Sequence, residues 1–328
     1  MKEIPYDTGG IVMLAPTGRG MYIWKLGKLF GGNYEKMLEW AIFMKLDWVC
    51  VKVLNGKWKY NYWNGHWHAK DFVKFFQAAG IEVHGWQWVL MDDPVNEGKA
   101  AVNAVKELGL NGFAMNIEDP CKNVPVRSAV DYSQEITAIE LPVGFCSYRF
   151  PTLHREILYS AYIDVCTYLA PEIYWAPAPN PVEQLLRSYK EYEDMDYGHL
   201  PFSPLGAAYG EHGHRPLPQE LIDFNAAVIE EQYPSLSWWR FGQAVDLGYA
   251  NLIAKMPNNY AGDPVQPPPP TPATQFKTLA NLNVRETAGT QAADVGTLKE
   301  GSDITLVERD GVWGKIEGWV HTDYLEPL

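Results

Sequence analysis

Runs of apolar residues of strand length alternate with amphipathic stretches of helical period, and this alternation can be followed eight times between residues 20 and 244. Near-continuous apolar runs are typical of strands buried on both faces, and a helix between two strands makes them parallel. Eight such units in about 250 residues fit a closed barrel better than a doubly wound sheet. The sequence also lacks the glycine fingerprint and the P-loop lysine of nucleotide-binding sheets. We therefore predict a (β/α)8 barrel, the TIM barrel.

The predicted elements follow this alternation. Strands are predicted at residues 20–26, 48–54, 81–90, 112–119, 141–149, 171–177, 202–210 and 236–244. Helices are predicted at residues 34–46, 68–80, 94–109, 127–140, 153–166, 180–195 and 218–233. Gly80 and Gly109 end two of these helices, which suits a left-handed C-cap before the next strand.

A proline-rich stretch divides the chain at residues 256–275, MPNNYAGDPVQPPPPTPATQ. Prolines lack an amide donor and favour extended polyproline II, so this stretch is predicted to be a semi-rigid spacer. It separates the barrel, residues 1–255, from a C-terminal segment, residues 276–328. A segment of this size folds alone with difficulty unless it forms a compact barrel. We therefore predict a second unit that is a small all-β barrel.

Charge and composition narrow the classes of function. Lys and Arg number 27 against 40 Asp and Glu, and the net charge of -13 opposes tight binding to nucleic acid or to an anionic membrane. Aromatic residues make up 13% of the chain, which suits either a Trp-rich core or surfaces that stack against sugars. The four cysteines are widely spaced and none forms a CxxC pair, so we expect reduced, buried thiols. We expect no cofactor.

The N-terminal sequence and the hydropathy bear on location. The stretch MKEIPYDTGGIVMLAP has no sustained apolar region and no small-residue cleavage site, so we expect no signal peptide. No run of about 18 apolar residues is present to span a bilayer, and we expect no membrane insertion. These features suit a phage-encoded protein, or one released to the cell wall or extracellular space by other means, and otherwise a cytoplasmic one.

The stretch GFAMNIEDP, residues 112–120, begins as a buried strand and ends in carboxylates. In a (β/α)8 barrel the chemistry lies at the C-terminal ends of the strands, and Glu118 falls at such an end. Glycoside hydrolysis needs one carboxylic acid to protonate the leaving oxygen and one carboxylate to act as nucleophile or base. We predict that Glu118 is the acid and that the second carboxylate is Glu172, Asp119 or Glu211.

Other side chains at the predicted strand ends are candidates for substrate binding. Because side chains alternate along a strand, Asn116 shares a face with Glu118, and Glu172 shares one with Tyr174. The same charges can instead form a structural ion-pair network, as Lys52 and Glu118 would. The substrate-binding candidates are Lys52, Trp86, Gln87, Trp88, Asn116, Arg149, Tyr174, Trp175 and Tyr209, with Lys25, Ser147, Arg240 and Gln243 as further neighbours at strand ends.

Two His-x-His pairs follow predicted strands at the rim of the barrel. His66 and His68 follow the second strand, and His212 and His214 follow the seventh. Histidine is a common zinc ligand, but pairs so far apart around the barrel need not meet. Histidine in loops rich in Gly and Trp is commonly a surface hydrogen-bonding residue, and we expect no bound metal.

Short motifs on strands two to six resemble a known class of barrel. The stretches VKVLNG, HGWQWV, MNIEDP, CSYRFP and PEIYW are similar to those of glycosidase-like barrels in bacterial and phage proteins, which are distantly related to the lysozymes of glycoside hydrolase family 25. The resemblance spans about residues 20–245, and it implies an acid at Glu118 and a saccharide groove.

The chain departs from that class at two places. The family 25 lysozymes usually have Asp-x-Glu where Asn116 stands, and an Asp early on strand one, where this chain has apolar residues and Lys25. The loss of a carboxylate at both places implies either an altered mechanism or no catalysis.

The C-terminal segment resembles a bacterial SH3 domain. The resemblance lies in LNVRETAGT (282–290), VGTLKEGSDITLVERDG (295–311) and VWGKIEGWVHTDYLEPL (312–328), which read as short alternating strands with Gly turns. Such modules usually bind cell-wall peptide or glycan, which makes Trp313, Trp319 and Tyr324 candidate wall contacts. The same aromatic residues can equally form the core of so small a barrel.

Two hypotheses follow for the function. The first is a glycoside hydrolase that cleaves cell-wall peptidoglycan or a related polysaccharide, with the SH3-like module holding the chain on the wall. The second is a catalytically inactive glycan-binding or structural component of a phage particle or cell-surface assembly, with self-assembly or virion partners. Asn116 in place of Asp favours the second.

Overall fold

Eight parallel strands close into a cylinder in the computed structural model, which describes residues 15–211, 213–261, 275–278, 281–285, 293–305, 308–310, 313–316, 319–321 and 325–327. The first strand pairs with the second, where Gly20 lies opposite Trp48, and with the eighth, where Gly18 lies opposite Ser235. The predicted (β/α)8 barrel is therefore confirmed. In chain order the strands are β1 (Gly18–Ile23), β2 (Trp48–Asn55), β3 (Glu82–Trp88), β4 (Gly112–Ile117), β5 (Val143–Tyr148), β6 (Tyr168–Ile173), β7 (Leu205–Ala207) and β8 (Ser235–Trp239).

Helices follow the strands and pack on the outside of the barrel. They are α1 (Tyr34–Phe43), α2 (His68–Ala78), α3 (Pro94–Leu108), α4 (Val126–Ile136), α5 (Tyr159–Ile163), α6 (Pro181–Glu193), α7 (Pro218–Glu230), α8 (Phe241–Asp246) and α9 (Tyr249–Ile253). The helix that ends at Gly109 has the expected left-handed cap, with φ of 67° at that glycine. None of the helices in the described part of the chain has the length and apolar character needed to cross a bilayer.

Two segments differ from the prediction. The helix predicted at 153–166 is reduced to α5, because the residues before α5 pair with the loop after β4. In that loop Lys122 forms a bridge with Ile157, and the Asn123 amide donates to the Glu156 carbonyl (2.9 Å). The strand predicted at 236–244 ends at 239, and α8 begins two residues later.

Side chains that alternate along the strands divide between two apolar layers. On β1, Met21 and Ile23 pack in the layer between the strands and the helices, and Tyr22 packs inside the barrel. The interior layer also contains Trp48, Cys50, Trp86, Ala114, Cys146, Tyr168, Ala170 and Leu205. The predicted cysteine state agrees with this packing, since all four cysteines are buried and unpaired.

Glycines inside the barrel make room for large side chains on neighbouring strands. Gly20 is in register with Trp48, and a Cβ at Gly20 would lie 2.2 Å from the Trp48 ring. Gly144 is in register with Tyr168, and a Cβ at Gly144 would lie 2.3 Å from Tyr168 Cζ. This packing fills the lower interior near the start of the strands, and open space is left at their C-terminal ends.

The N-terminal end of the barrel is closed by Arg19, which is fully buried. Its Nη2 donates to the carbonyl oxygens of Met256 (3.0 Å) and Pro257 (2.7 Å). The side-chain Nδ2 of Asn258 donates to the carboxylate of Asp47 (3.2 Å), the residue that precedes β2. The first residues of the proline-rich stretch are therefore held across the N-terminal face of the barrel.

The C-terminal segment contains short antiparallel strands. They are β9 (Gln275–Thr278), β10 (Leu282–Arg285), β11 (Asp294–Leu298), β12 (Asp303–Thr305), β13 (Glu308–Asp310), β14 (Trp313–Lys315), β15 (Trp319–His321) and β16 (Leu325–Pro327). Leu282 and Ile304 are buried, and Val284, Leu298 and Ile316 pack against them. The predicted small all-β unit is therefore confirmed.

We expect Gly144→Ala to lower the free energy of unfolding by about 1–3 kcal/mol, because the added methyl group overlaps Tyr168 in a packed interior. Urea unfolding followed by tryptophan fluorescence measures the change. Gly27→Ala is the matched control, since a Cβ there would lie 3.5 Å from Trp63, an ordinary contact distance.

A second variant tests the cause of that loss. Gly144→Ala combined with Tyr168→Leu should recover part of the lost stability, because the smaller side chain relieves the overlap. Equal stabilities for Gly144→Ala and Gly27→Ala would contradict the proposed packing.

Candidate active site

A cavity of about 570 Å³ opens at the C-terminal ends of the strands, and we call it the mouth cavity. Its aromatic lining residues are Tyr22, Trp24, Trp86, Tyr174, Tyr209 and Trp239. Its polar lining residues are Asn116, Glu118, Glu172, Glu211, Arg240 and Gln243, together with Gly210. The combination of flat apolar walls and a few convergent polar groups is typical of a ligand site.

Glu118 and Glu172 are brought together although they are far apart in sequence. Alternation along β4 places Ala114 and Asn116 inside the barrel, and Glu118 follows the strand end on the same side. Glu172 lies on β6, between the interior residue Ala170 and the cavity-lining Tyr174. The two carboxyl groups are hydrogen-bonded to each other.

The Glu172 carboxyl group has two further donors. Asn116 Nδ2 donates to Glu172 Oε1 (2.7 Å), and Cys146 Sγ donates weakly to the same oxygen (3.5 Å). An aspartate at position 116 would have no hydrogen to donate and would add a third carboxylate. The amide that stands in place of the expected Asp therefore fits the presence of Glu172, which supplies the carboxylate partner of Glu118 from β6.

The pair holds a proton at higher pH than isolated carboxyl groups do. Burial raises the pKa of Glu118, and its hydrogen bond with Glu172 and the charge of Lys52 oppose that rise. Burial also raises the pKa of Glu172 well above its usual range, and the adjacent charge of Glu118 raises it further. Two hydrogen-bonded carboxyl groups cannot both ionise easily, so the pair retains one shared proton to a higher pH than isolated carboxyl groups would.

The other two predicted carboxylates are placed differently. The Asp119 side chain is 79% exposed and pairs with Lys122 Nζ (2.7 Å), and it accepts a hydrogen bond from the Tyr148 hydroxyl (2.6 Å). These two partners lower the pKa of Asp119. Asp119 therefore lies outside the mouth cavity, which removes it as the second carboxylate. Glu211 lines the cavity from the loop after β7.

Of the predicted substrate-binding residues, Trp86, Asn116, Tyr174 and Tyr209 line the cavity. Lys52 lies behind the lining and is 2% exposed. Its Nζ donates to Asn55 Oδ1 (2.8 Å) and lies 4.9 Å from the ring centroids of both Trp86 and Trp88. Burial lowers the pKa of Lys52 to about 8. Lys52 and Trp88 therefore support the cavity wall from behind.

Three further residues of the predicted substrate-binding set do not line the cavity. Gln87 points outward on β3, where its Nε2 donates to the Gly56 carbonyl (2.9 Å). Trp175 is buried in the outer layer, and its Nε1 donates to Glu220 (3.0 Å). Arg149 donates to the Tyr174 carbonyl and so supports the backbone of the cavity wall. Ser147, from the same predicted set of strand ends, is likewise buried and donates to a backbone carbonyl of β4.

The sequence analysis missed three aromatic residues of the cavity, Tyr22, Trp24 and Trp239. The rings of Trp24 and Trp239 lie 6.2 Å apart, and those of Trp86 and Trp239 lie 5.7 Å apart. The signal was present on the first strand, since Tyr22 and Trp24 alternate with Met21 and Ile23. The predicted strand extends to residue 26 with Lys25 at its end, whereas β1 ends at Ile23 and Trp24 is the residue that follows it into the cavity.

The histidine pairs do not form a metal site in the described residues. His66 hydrogen-bonds to Asp71 (2.5 Å), and the His68 ring stacks on Trp63 at 3.6 Å. His214 forms backbone hydrogen bonds with Glu211, and His212 lies outside the described part of the chain. No group of three or more His, Cys, Asp or Glu side chains suited to a metal ion occurs among the described residues.

The three candidate wall contacts lie in the C-terminal module. Trp313 and Trp319 begin β14 and β15, and Tyr324 falls outside the described residues. Residues 280–326 match the family model described as Bacterial SH3 domain. This match confirms the predicted identity of the module, and the role of the three aromatic residues stays a prediction.

The barrel is similar in fold to solved glycoside hydrolases. A class V chitinase from Nicotiana tobaccum aligns with a TM-score of 0.56 at 7% identity, over 73% of this chain and 98% of the chitinase. A family GH18 chitinase from Cycas revoluta aligns with a TM-score of 0.55 at 10% identity, over 72% and 98%. The comparisons thus support a glycosidase-type TIM barrel like that of the GH18 chitinases, and they do not support the expected similarity to family 25 lysozymes.

The same fold also occurs in a protein described as an inhibitor. The xylanase and alpha-amylase inhibitor protein from Scadoxus multiflorus aligns with a TM-score of 0.50 at 13% identity, over 74% of this chain and 100% of the inhibitor. A search of curated protein sequences found no match. The fold is therefore shared, and the function must be argued from the site.

We expect Glu172→Gln to raise the melting temperature at pH 8 relative to the wild type and to have little effect at pH 4. The pKa of Glu172 is raised in the folded protein, so the folded state binds more protons than the unfolded state as the pH rises above the ordinary carboxyl range. The wild type therefore loses stability as the pH rises through the pKa that Glu172 has in the folded protein. The Glu172→Gln variant does not lose this stability, because its amide does not ionise. A difference of about 2 °C or more at pH 8 is expected in calorimetry.

Glu140→Gln is the matched control for this measurement. It makes the same Glu-to-Gln change at an exposed residue in the loop after α4. If Glu172→Gln changed the melting temperature by the same amount at pH 4 and at pH 8, ionisation of the Glu172 carboxyl group would not be the cause of the change.

Proposed function

We propose that this protein is a glycoside hydrolase that cleaves a polysaccharide containing 2-acetamido sugars, with Glu118 as the general acid. The observation that carries the proposal is the Glu118–Glu172 pair, which shares a proton at an aromatic-lined cavity on the catalytic face of a (β/α)8 barrel. A carboxyl group that stays protonated near neutral pH is what protonation of a glycosidic oxygen requires.

The contact between the two carboxyl groups argues against the standard two-carboxylate mechanisms. Retaining glycosidases with a protein nucleophile hold the two groups about 5–5.5 Å apart, and inverting enzymes hold them about 6.5–9.5 Å apart. Glu118 and Glu172 are instead joined by a direct hydrogen bond between their side chains, which is closer than either arrangement. Glu172 is therefore assigned as the proton partner of Glu118 and not as the nucleophile.

A third route needs only one catalytic carboxyl group. In substrate-assisted hydrolysis, which family 18 enzymes use, a group of the substrate itself attacks the anomeric carbon in place of a protein carboxylate. The oxygen of a 2-acetamido group is placed for that attack. The similarity in fold to GH18 chitinases supports this route.

The shared proton would then move in two steps. Glu118 donates it to the leaving oxygen, and Asn116 and Cys146 hold the Glu172 carboxyl by hydrogen bonds as the pair becomes fully ionised. Lys52 offsets part of that charge, because its field favours ionised Glu118. A water molecule that opens the sugar intermediate returns a proton to Glu118.

The aromatic walls supply the binding surface. Trp24, Trp86 and Trp239 form a connected cluster that borders the cavity, and flat indole faces suit the apolar faces of pyranose rings. Tyr174 and Tyr209, which follow β6 and β7, meet edge to face with their ring centroids 5.3 Å apart. We assign these residues to substrate binding.

The C-terminal module would hold the barrel on its substrate. Bacterial SH3 domains usually bind cell-wall peptide or glycan, so we propose a cell-wall polysaccharide as the substrate, with Trp313, Trp319 and Tyr324 as wall contacts. A tether raises the local concentration of the barrel at the wall without adding catalytic contacts.

We expect Glu118→Gln to reduce hydrolysis by about 10²–10⁴-fold, the usual contribution of a general acid. Release of reducing ends from purified peptidoglycan and from chitin measures the activity. Glu211→Gln is the matched comparison, since it changes a carboxylate of the same cavity that has no part in the proposed proton transfer. A loss for Glu211→Gln as large as that for Glu118→Gln would identify Glu211 as a second catalytic carboxylate and defeat the substrate-assisted mechanism.

A second candidate function is glycan binding without hydrolysis. The inhibitor protein with the same fold favours it, as does the amide of Asn116 beside the carboxyl pair. Saturable binding of oligosaccharides by the wild type, with no product after long incubation and equal binding by Glu118→Gln, would select this function over the first.

A further inference from the structure

Two cations lie against one aromatic residue at the edge of the mouth cavity. Lys25 Nζ is 4.0 Å from the ring centroid of Trp24, and the Arg240 guanidinium carbon is 5.1 Å from it. Trp24 and Arg240 both line the cavity. We call these three residues the basic wall. Trp24 and Lys25 are the first two residues after β1, and Arg240 is the first residue after β8, the strand that pairs with β1 to close the barrel.

The basic wall is unusual in a chain with a net charge of -13. Among the described residues, no carboxylate oxygen lies within 4.0 Å of the Lys25 or Arg240 side-chain nitrogens. A cation on an aromatic face keeps its charge available to a further partner, because the ring offers only a weak attraction. Arg240 is thus placed at a ligand cavity, and neither cation forms an ion pair with a carboxylate of the described residues.

Glu118 is separated from this wall, since β4 lies across the barrel from β8 in the strand order. Glu172 lies on β6, two strands from β8. Glu211 is the cavity-lining carboxylate nearest to Arg240 along the sheet, because it lies in the loop after β7, which neighbours β8. A sugar bound with its scissile bond at Glu118 would therefore direct part of its substituents or its neighbouring ring toward the basic wall.

We propose that the basic wall is a subsite for a carboxylate carried by the glycan, with Arg240 as its main contact. The proposal rests on the proposed function and narrows its substrate from neutral to acidic 2-acetamido glycans. The planar guanidinium of Arg matches a carboxylate with two parallel hydrogen bonds, and Trp24 holds the guanidinium in place by its ring face. Chitin has no such group, whereas the lactyl ether of N-acetylmuramic acid in peptidoglycan provides one.

The test compares two ligands that differ in charge. One is the tetrasaccharide of N-acetylglucosamine, and the other is a peptide-free tetrasaccharide that alternates N-acetylglucosamine with N-acetylmuramic acid. Calorimetric titration of the full chain carrying Glu118→Gln measures binding without turnover. Adding Arg240→Met should weaken binding of the acidic ligand about ten- to a hundredfold and that of the neutral ligand by no more than about threefold.

Two further variants control for charge and shape. Lys28→Met removes the same charge from the short helix Leu26–Lys28 beside β1 and should leave both affinities unchanged. Arg240→Lys should keep part of the preference for the acidic ligand, because it keeps the charge and loses the bidentate geometry.

The outcomes separate this proposal from the proposed function. Equal weakening of both ligands by Arg240→Met, or no weakening of either, would overturn the carboxylate subsite. If the wild type hydrolyses neither tetrasaccharide nor the parent polymers, the proposed hydrolase function fails, and the binding comparison still decides whether the basic wall recognises a carboxylate.

Discussion

Large side chains packed over glycines inside the barrel determine how the strands align and where the interior stays open. Trp48 and Tyr168 occupy space that Gly20 and Gly144 leave open on the adjacent strands, and His84 does the same beside Gly112. Because such pairs fit in only one register, they fix how the strands align as the sheet closes. They also fill the lower interior, so that the open volume lies entirely above them, where the strands end.

The position of the mouth cavity at the strand ends lowers the free-energy cost of holding two carboxyl groups side by side. Two carboxyl groups in contact would destabilise a dry core, but Glu118 and Glu172 lie at the cavity, share a proton and receive a hydrogen bond from Asn116. Lys52 is buried behind the wall with its charge against aromatic rings, and its pKa is lowered to about 8 by that burial. Perturbed acidic and basic groups that line or adjoin an open cavity are typical of sites where chemistry is done.

The period of the sequence predicted the barrel and the carboxylate at the end of β4, because strand count and strand ends depend on local patterns. It did not predict which face of a near-continuous apolar strand points inward. Gln87 and Trp86 are adjacent on β3, and only the register with β2 and β4 makes Trp86 the interior residue. Trp175 follows β6 and packs outward for the same reason. The strands β1 and β8 were predicted to extend too far, because aromatic residues at their ends continue the apolar run. Trp24 and Trp239 were therefore not predicted as cavity residues.

The route of the chain after the barrel separates the two proposed binding activities in space. Arg19 and Asp47 hold residues 256–258 across the N-terminal face, and the Ala261 amide donates to the Tyr233 carbonyl just before β8 (3.2 Å). The spacer therefore starts on the face opposite the mouth cavity. A module tethered from that face is suited to bind a part of the wall other than the glycan chain that the barrel would cleave. Binding by the module and hydrolysis by the barrel then need not compete for the same glycan segment.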